Sequence, residues 1–215
     1  VAVTGVQRVL FRSQELFNQA ATYQGTNLHD ELNHTNIGLT AGVQLQLTPV
    51  TALGVDLTHA EEHYGYQPLR NSKADSVTVA VRFDPKGLIK GGASFGFQDY
   101  RPDDRSLPGR RGTTAAVNVS YVLLGMTKFG VNYGRGVQSS YDITQPYYVQ
   151  TGGSLEIGQQ LFGPLDVVVR GGLQQLDYRN RAGVIVLFPD RVDHAKTFGG
   201  GIGYQLGKDM RIGLD

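Results

Sequence analysis

The chain has 215 residues, 29 of them glycine, with no cysteine or tryptophan and a formal net charge of +1. The near-neutral balance argues against a nucleic-acid partner, and the lack of cysteine excludes disulfide scaffolds and thiolate metal sites. No run of about 18 apolar residues exists, which excludes a transmembrane helix but not a barrel, whose strands turn only half their residues toward lipid.

Residues 1–13 stand apart. Val3-Thr4-Gly5-Val6-Gln7 followed by Arg8-Val9-Leu10-Phe11-Arg12-Ser13 matches a translated sequencing adapter. GTGACTGGAGTTCAG encodes the first run; its continuation CGTGTGCTCTTCCGATCT, after loss of a single A, encodes the second. Residues 1–13 are therefore expected to lie outside the fold, which occupies 14–215, and the missing signal peptide carries no information. Residues 14–23 show a poor pattern with at most a weak strand, and 25–34 is polar and loop-like.

From Asn36 the pattern becomes regular. Ile37, Leu39, Ala41, Val43, Leu45 and Leu47 alternate with Gly38, Thr40, Gly42, Gln44 and Gln46; a turn at Thr48-Pro49-Val50-Thr51 follows, and Leu53 and Val55 resume against Gly54 and Asp56. Period-two alternation sets one face against an apolar medium and the other against a polar one. After a polar connection at 64–73, Val77, Val79, Val81 and Phe83 oppose Thr78, Ala80 and Arg82, and Asp84-Pro85-Lys86-Gly87 makes a tight turn. Ile89, Ala93, Phe95 and Phe97 return opposite Lys90, Ser94 and Gln98, ending in a second connection at 101–112. Val117, Val119 and Tyr121 turn at Leu124-Gly125-Met126 into Phe129, Val131 and Tyr133, with a third connection at 136–146. Leu155 and Ile157 oppose Glu156, Phe162-Gly163-Pro164 turns, and Val167, Val169 and Leu173 climb back against Asp166 and Arg170. After the connection 180–192, Phe198, Ile202 and Tyr204 descend to a turn at Gly207-Lys208-Asp209, and Met210, Ile212 and Leu214 begin another strand.

Short turns near residues 49, 86, 125, 163 and 208 thus alternate with longer connections, an up-and-down meander whose ends differ, as in outer-membrane barrels. A propeller needs four short strands per repeat, whereas two long ones fill each period here. Strands of about 9 to 14 residues suit a tilted crossing of the hydrocarbon layer better than a soluble barrel or sandwich, whose strands are nearer five or six. The expected fold is an all-β, antiparallel, up-and-down transmembrane β-barrel, seen as an incomplete fragment of about 10–11 strands. Its lumen-lining candidates are Gln44, Gln46, Asp56, Arg82, Lys90, Glu156, Asp166, Arg170 and Arg211, with glycines leaving room inside. Tyr64, Tyr66, Tyr100, Tyr121, Tyr147, Tyr148, Phe162, Tyr178 and Tyr204 sit near strand ends, as interfacial girdles would.

The run Gly134-Arg135-Gly136-Val137-Gln138-Ser139-Ser140-Tyr141, then Tyr147-Tyr148-Val149, Leu161-Phe162-Gly163-Pro164-Leu165, Leu176-Asp177-Tyr178, Arg191-Val192-Asp193 and Gly199-Gly200-Gly201-Ile202-Gly203-Tyr204-Gln205-Leu206-Gly207 resembles the second putative β-barrel porin family. The resemblance spans roughly 36–215 and is strongest after residue 130. It implies a bacterial outer-membrane location, a larger intact barrel, and a frequent association with exopolysaccharide export. This chain departs from the family pattern in lacking the C-terminal strand with its terminal aromatic.

Catalytic signals are weak. His59-Ala60-Glu61-Glu62-His63 matches H-x-x-E-H, but that zinc chemistry needs a helix; on a strand Glu62 points away from both histidines while Glu61 shares their side, so at most a rim metal site is geometrically open. Gly207-Lys208 lacks the glycine and the hydroxyl of a P-loop, since 202 is isoleucine and 209 aspartate, and the serines form no nucleophile elbow. No enzyme activity and no cofactor are expected. Arg101, Arg105, Arg110 and Arg111, with Asp103 and Asp104, make a mixed-charge loop that could touch lipopolysaccharide phosphates. The expected partners are outer-membrane lipid and lipopolysaccharide, with polysaccharide or small polar solutes in the lumen. The expected function is passive passage through that lumen; a plugged structural or adhesive barrel acting through its long loops is the other reading.

Overall fold

The computed structural model describes residues 2–23, 25–84, 86–161, 163–206 and 210–214, without the side chains of 2–7 and 211. It contains β1 (Ala2–Glu15), a small hairpin of β2 (Thr22–Tyr23) and β3 (Thr26–Asn27), a short helix α1 (Leu28–Leu32), and then strands only. These are β4 (His34–Thr48), β5 (Thr51–Tyr64), β6 (Ser72–Phe83), β7 (Ile89–Pro102), β8 (Arg110–Leu123), β9 (Thr127–Ser139), β10 (Tyr147–Gln160), β11 (Leu165–Arg179), β12 (Val192–Leu206) and β13 (Met210–Leu214). One 11-stranded sheet takes them in the order β1-β4-β5-β6-β7-β8-β9-β10-β11-β12-β13, every neighbour antiparallel. This is the expected up-and-down arrangement. No helix among the described residues is long and apolar enough to cross a membrane.

Register carries the side-chain alternation across strands. Val43 pairs with Val55, Val55 with Val79, Val79 with Phe95, and Val131 with Leu155. Their face is exposed along its length: Phe95 is 62% accessible, Leu155 62% and Phe198 84%. A soluble protein does not leave so continuous an apolar face to water. The opposite parity carries the glycines, amides and charges.

The strands reach further toward the long connections than the apolar alternation suggests. The connections shrink to 65–71, 103–109, 140–146 and 180–191. In added rungs such as Ser72-Lys73 and Arg110–Gly112 neither face carries an apolar side chain, so the ladder continues where the hydropathy signal stops. At the other end, Leu124 (φ 51°) and Gly125 (φ 73°) form a two-residue turn, closed by the Met126 N–H donating to the Leu123 carbonyl at 3.1 Å. The Gly207-Lys208-Asp209 turn lies outside the described residues, as do Pro85 and Phe162 of two others.

β1 pairs with β4 along its length but with inverted polarity. Phe11 stands opposite Gly38 and Val9 opposite Thr40, on the polar face, while Arg8 and Arg12 stand opposite Ala41 and Ile37, on the apolar one.

Gly91 is the glycine whose backbone matters most. Its φ is +101°, and a Cβ there would run into the Asn118 carbonyl of β8. Gly91→Ala is expected to cost about 1–3 kcal/mol in urea unfolding from lipid vesicles. Gly136→Ala, at a site with nothing within 4 Å, should change stability by under about 0.5 kcal/mol.

Candidate functional site: the polar face and its mouth

The polar face is concave. A cavity of about 520 Å³ is lined from β1, β4, β5, β6, β7, β9 and β10 together, by residues including Asn36, Glu62, Gln98, Tyr100, Gln138 and Tyr148. Only a sheet curled around that face brings seven strands to one space.

Gln44, Gln46, Asp56, Arg82, Lys90, Glu156, Asp166 and Arg170 all share this parity. Arg211 lies in β13 opposite Gln205, but its side chain is outside the described residues. The candidates form two groups. Asp56 on β5 receives a hydrogen bond from Arg82 Nη2 on β6 at 2.6 Å. The pair lies along the wall because the neighbours are glycines: a Cβ at Gly42 would strike the Asp56 carboxylate, and one at Gly54 would strike the Arg82 guanidinium. Far along the sheet, Glu156 stands opposite Arg170 and takes a 3.4 Å contact from Lys128 Nζ, and Asp166 joins them in one recess of about 400 Å³ near the short turns. Gly199 sits beside the aliphatic stem of Arg170 in the same way. Lys128 was missed in sequence, although stepping the alternation back from Phe129 finds it. Lys90 on β7 is exposed and has no ion pair among the described residues.

The long-connection end is narrowed by its own loops. Arg70, whose side chain is only 2% exposed, bonds Glu31 of α1 through Nη2 at 2.9 Å and donates to the carbonyls of Ser140, Pro146 and Tyr141 at 2.5, 3.3 and 3.2 Å. One guanidinium thus holds α1 and the 140–146 connection to the β5–β6 connection. Tyr64 and Ser139 share a hydroxyl hydrogen bond at 2.6 Å, and Tyr147 donates to the Pro108 carbonyl with its ring 5.1 Å from that of Tyr100. Arg181 pairs with Asp104 at 3.0 Å, and the Ala182 N–H donates to the Ser106 carbonyl at 2.7 Å. The backbone N–H of Ser106, with its hydroxyl and the Arg181 charge, holds the Asp104 carboxyl below the usual carboxylate range.

Two sequence readings change here. Tyr64, Tyr100, Tyr147 and Tyr178 are buried instead of forming a lipid-facing girdle. Tyr64, Tyr100 and Tyr178 have the parity of the polar face, while Tyr147 packs inward where its strand meets the loops. Tyr121 and Tyr204 keep the outward parity, and Phe162 lies outside the described residues. Arg101, Arg110 and Arg111 belong to strands, not to the loop. In the H-x-x-E-H stretch, Glu61 contacts His59 at 3.4 Å and His63 at 3.3 Å while Glu62 takes a hydrogen bond from Ser72. No group of three or more histidines and carboxylates disposed to hold a metal exists among the described residues.

A family model described as "Putative beta-barrel porin 2" matches residues 4–215. No curated protein and no solved structure matches the chain.

Arg70→Ala takes the shared donor from three carbonyls and from the part-buried Glu31 carboxylate, which keeps its 3.0 Å hydrogen bond from Gln67, so a loss of about 1–3 kcal/mol is expected, read by urea unfolding and by new protease cleavage within 140–146. The depressed Asp104 pKa means its tie to Arg181 is intact above the ordinary carboxylate pKa of about 3.9 and is lost as pH falls through the lower folded value. Pepsin nicking of 103–109 should therefore rise only below about pH 4.

Proposed function

Because the chain belongs to the putative beta-barrel porin 2 family, we propose that it forms part of a bacterial outer-membrane channel that passes polar solutes passively. The observation carrying this reading is the division of one curled sheet into an apolar face open along its length and a concave face lined with glycine, amide and charge. Backbone groups inside hydrocarbon must be paired, and an antiparallel ladder does that while leaving a wet interior. No step of bond chemistry enters the mechanism. Solutes exchange their hydration for the Asp56–Arg82 and Lys128–Glu156 sites and move on, and Lys90, which has no ion pair among the described residues, biases the field. Saccharide export is the finer form of the proposal: tyrosines and amides line the 520 Å³ cavity, and aromatic faces with amide edges suit polyhydroxylated chains.

The loops packed around Arg70 favour a second reading, a plugged barrel that acts through its surface. Conductance of the protein in a planar bilayer decides between them; a membrane that stays silent removes the channel. If it conducts, Lys90→Glu should raise the cation-to-anion permeability ratio severalfold, measured as a shifted reversal potential in a salt gradient.

We also propose that residues 1–13 are not native to the fold, although the family match extends over part of them. Support comes from the inverted polarity of β1, which sets Val9 and Phe11 on the polar face and Arg8 on the first apolar rung below the charged rim, while Arg12 stands on the rung of Ile37 and Glu61 at that rim. Sequencing the intact locus decides it: if it encodes those residues, the proposal falls.

A further inference from the structure

The apolar face does not end alike at its two ends. Toward the short turns it stays apolar, with Phe83, Ile89, Tyr121 and Leu123 all of outward parity. Toward the long connections it is capped by a continuous ion network across four strands. Glu61 on β5 pairs with Lys73 on β6 at 3.2 Å and with His59 at 3.4 Å. His59 meets Asp75 of β6 at 2.6 Å, and Asp75 meets Arg101 of β7. Asp99 then joins Arg101 at 3.6 Å to Arg111 of β8 at 3.2 Å. Outward-facing charges of this kind cannot lie in hydrocarbon, so they mark the headgroup level at that end.

Within the network the cations are the more exposed partners on balance. The Arg111 side chain is 74% exposed and Arg101 51%, against 22% for Asp99 and 31% for Glu61, while Lys73 at 45% and Asp75 at 47% are alike. The two guanidinium groups are therefore the most accessible charges of the row. Directly below, a groove of about 470 Å³ opens between Leu39, Ala41, Leu57, Val77 and Phe97, with His59, Asp75 and Asp99 at its rim. An apolar groove under a row of outward cations has the shape of an acyl chain under an anionic headgroup.

We propose that this outer surface of β4–β8 is a seat for a phosphorylated membrane lipid, the lipid A portion of lipopolysaccharide, with an acyl chain in the groove and phosphates against Lys73, Arg101 and Arg111. Those cations stand on three successive strands and so span about 10 Å. That suits a headgroup with more than one phosphate better than the single phosphodiester of a common phospholipid. Guanidinium groups bind such oxygens in bidentate fashion. The inference rests on the barrel reading above and adds an orientation to it: the long connections face the leaflet that carries lipopolysaccharide.

Native mass spectrometry of the protein in detergent, titrated with diphosphorylated lipid A, tests this. Lys73→Gln/Arg101→Gln/Arg111→Gln should weaken retention by about fivefold per cation removed, while Lys86→Gln, a turn residue at the opposite end, should not. Ala41→Phe, which fills the groove and keeps every charge, should also weaken it. Fully dephosphorylated lipid A should bind the wild type no better than the phosphorylated form binds the triple variant. Equal binding of both lipids, equal loss with Lys86→Gln, or full displacement by millimolar inorganic phosphate would each overturn the seat. The mass readout does not depend on current, so a silent bilayer would strike the channel reading alone. A triple variant that conducts like wild type while losing lipid A is the expected pair of results.

Discussion

Register is the constraint on which the rest of this structure depends. Each strand from β4 to β12 pairs with both neighbours in antiparallel fashion, so one residue of slip anywhere would exchange the faces of everything beyond it. The valine and phenylalanine rungs and the glycine and charge rungs hold each other in place because they cannot both be satisfied in any other phase. Glycine does more than leave a gap. Gly42, Gly54 and Gly199 sit where Asp56, Arg82 and Arg170 lie down across the wall, so the interior charges are paired or supported without filling the space they line.

The two polar regions differ in energetic character. The outward network of Glu61, Lys73, Asp75, Arg101, Asp99 and Arg111 is solvent-accessible, and individual exposed pairs of this kind stabilise little. Arg70 is different: a charge almost entirely removed from solvent, satisfied by one carboxylate and three carbonyls from distant parts of the chain. Breaking such a site leaves uncompensated polar groups, so its cost is larger than the net gain of forming it. The mouth is therefore held by a few buried groups, while the outer surface has many weak ones free to exchange partners with whatever lies beside them.

The apolar band was legible in sequence because one face is hydrophobic and the other is not. The candidates with described side chains, from Gln44 to Arg170, share the parity opposite to the apolar band. Legibility ends where that contrast ends. At Ser72-Lys73 and Arg110–Gly112 neither face carries an apolar side chain, so the strands run on past the point where alternation can be seen. The tyrosines misled because position near a strand end says nothing of parity: Tyr64 and Tyr100 are even-numbered members of an even-inward run. Arg70 gave no local signal at all, since its partners Glu31 and Ser140 are brought to it only by the curl of the sheet.

The strictly sequential strand order has a consequence for how such a protein changes over time. Within the ladder each strand from β5 to β12 hydrogen-bonds only to the strand before it and the one after it in sequence, and barrel diameter follows strand number. Duplication or loss of one two-stranded unit would widen or narrow the perimeter without re-pairing any other strand. The hairpin, rather than the residue or the domain, is then the natural unit of inheritance in this architecture, and relatives of different girth can share a local sequence pattern while differing in the solutes they admit.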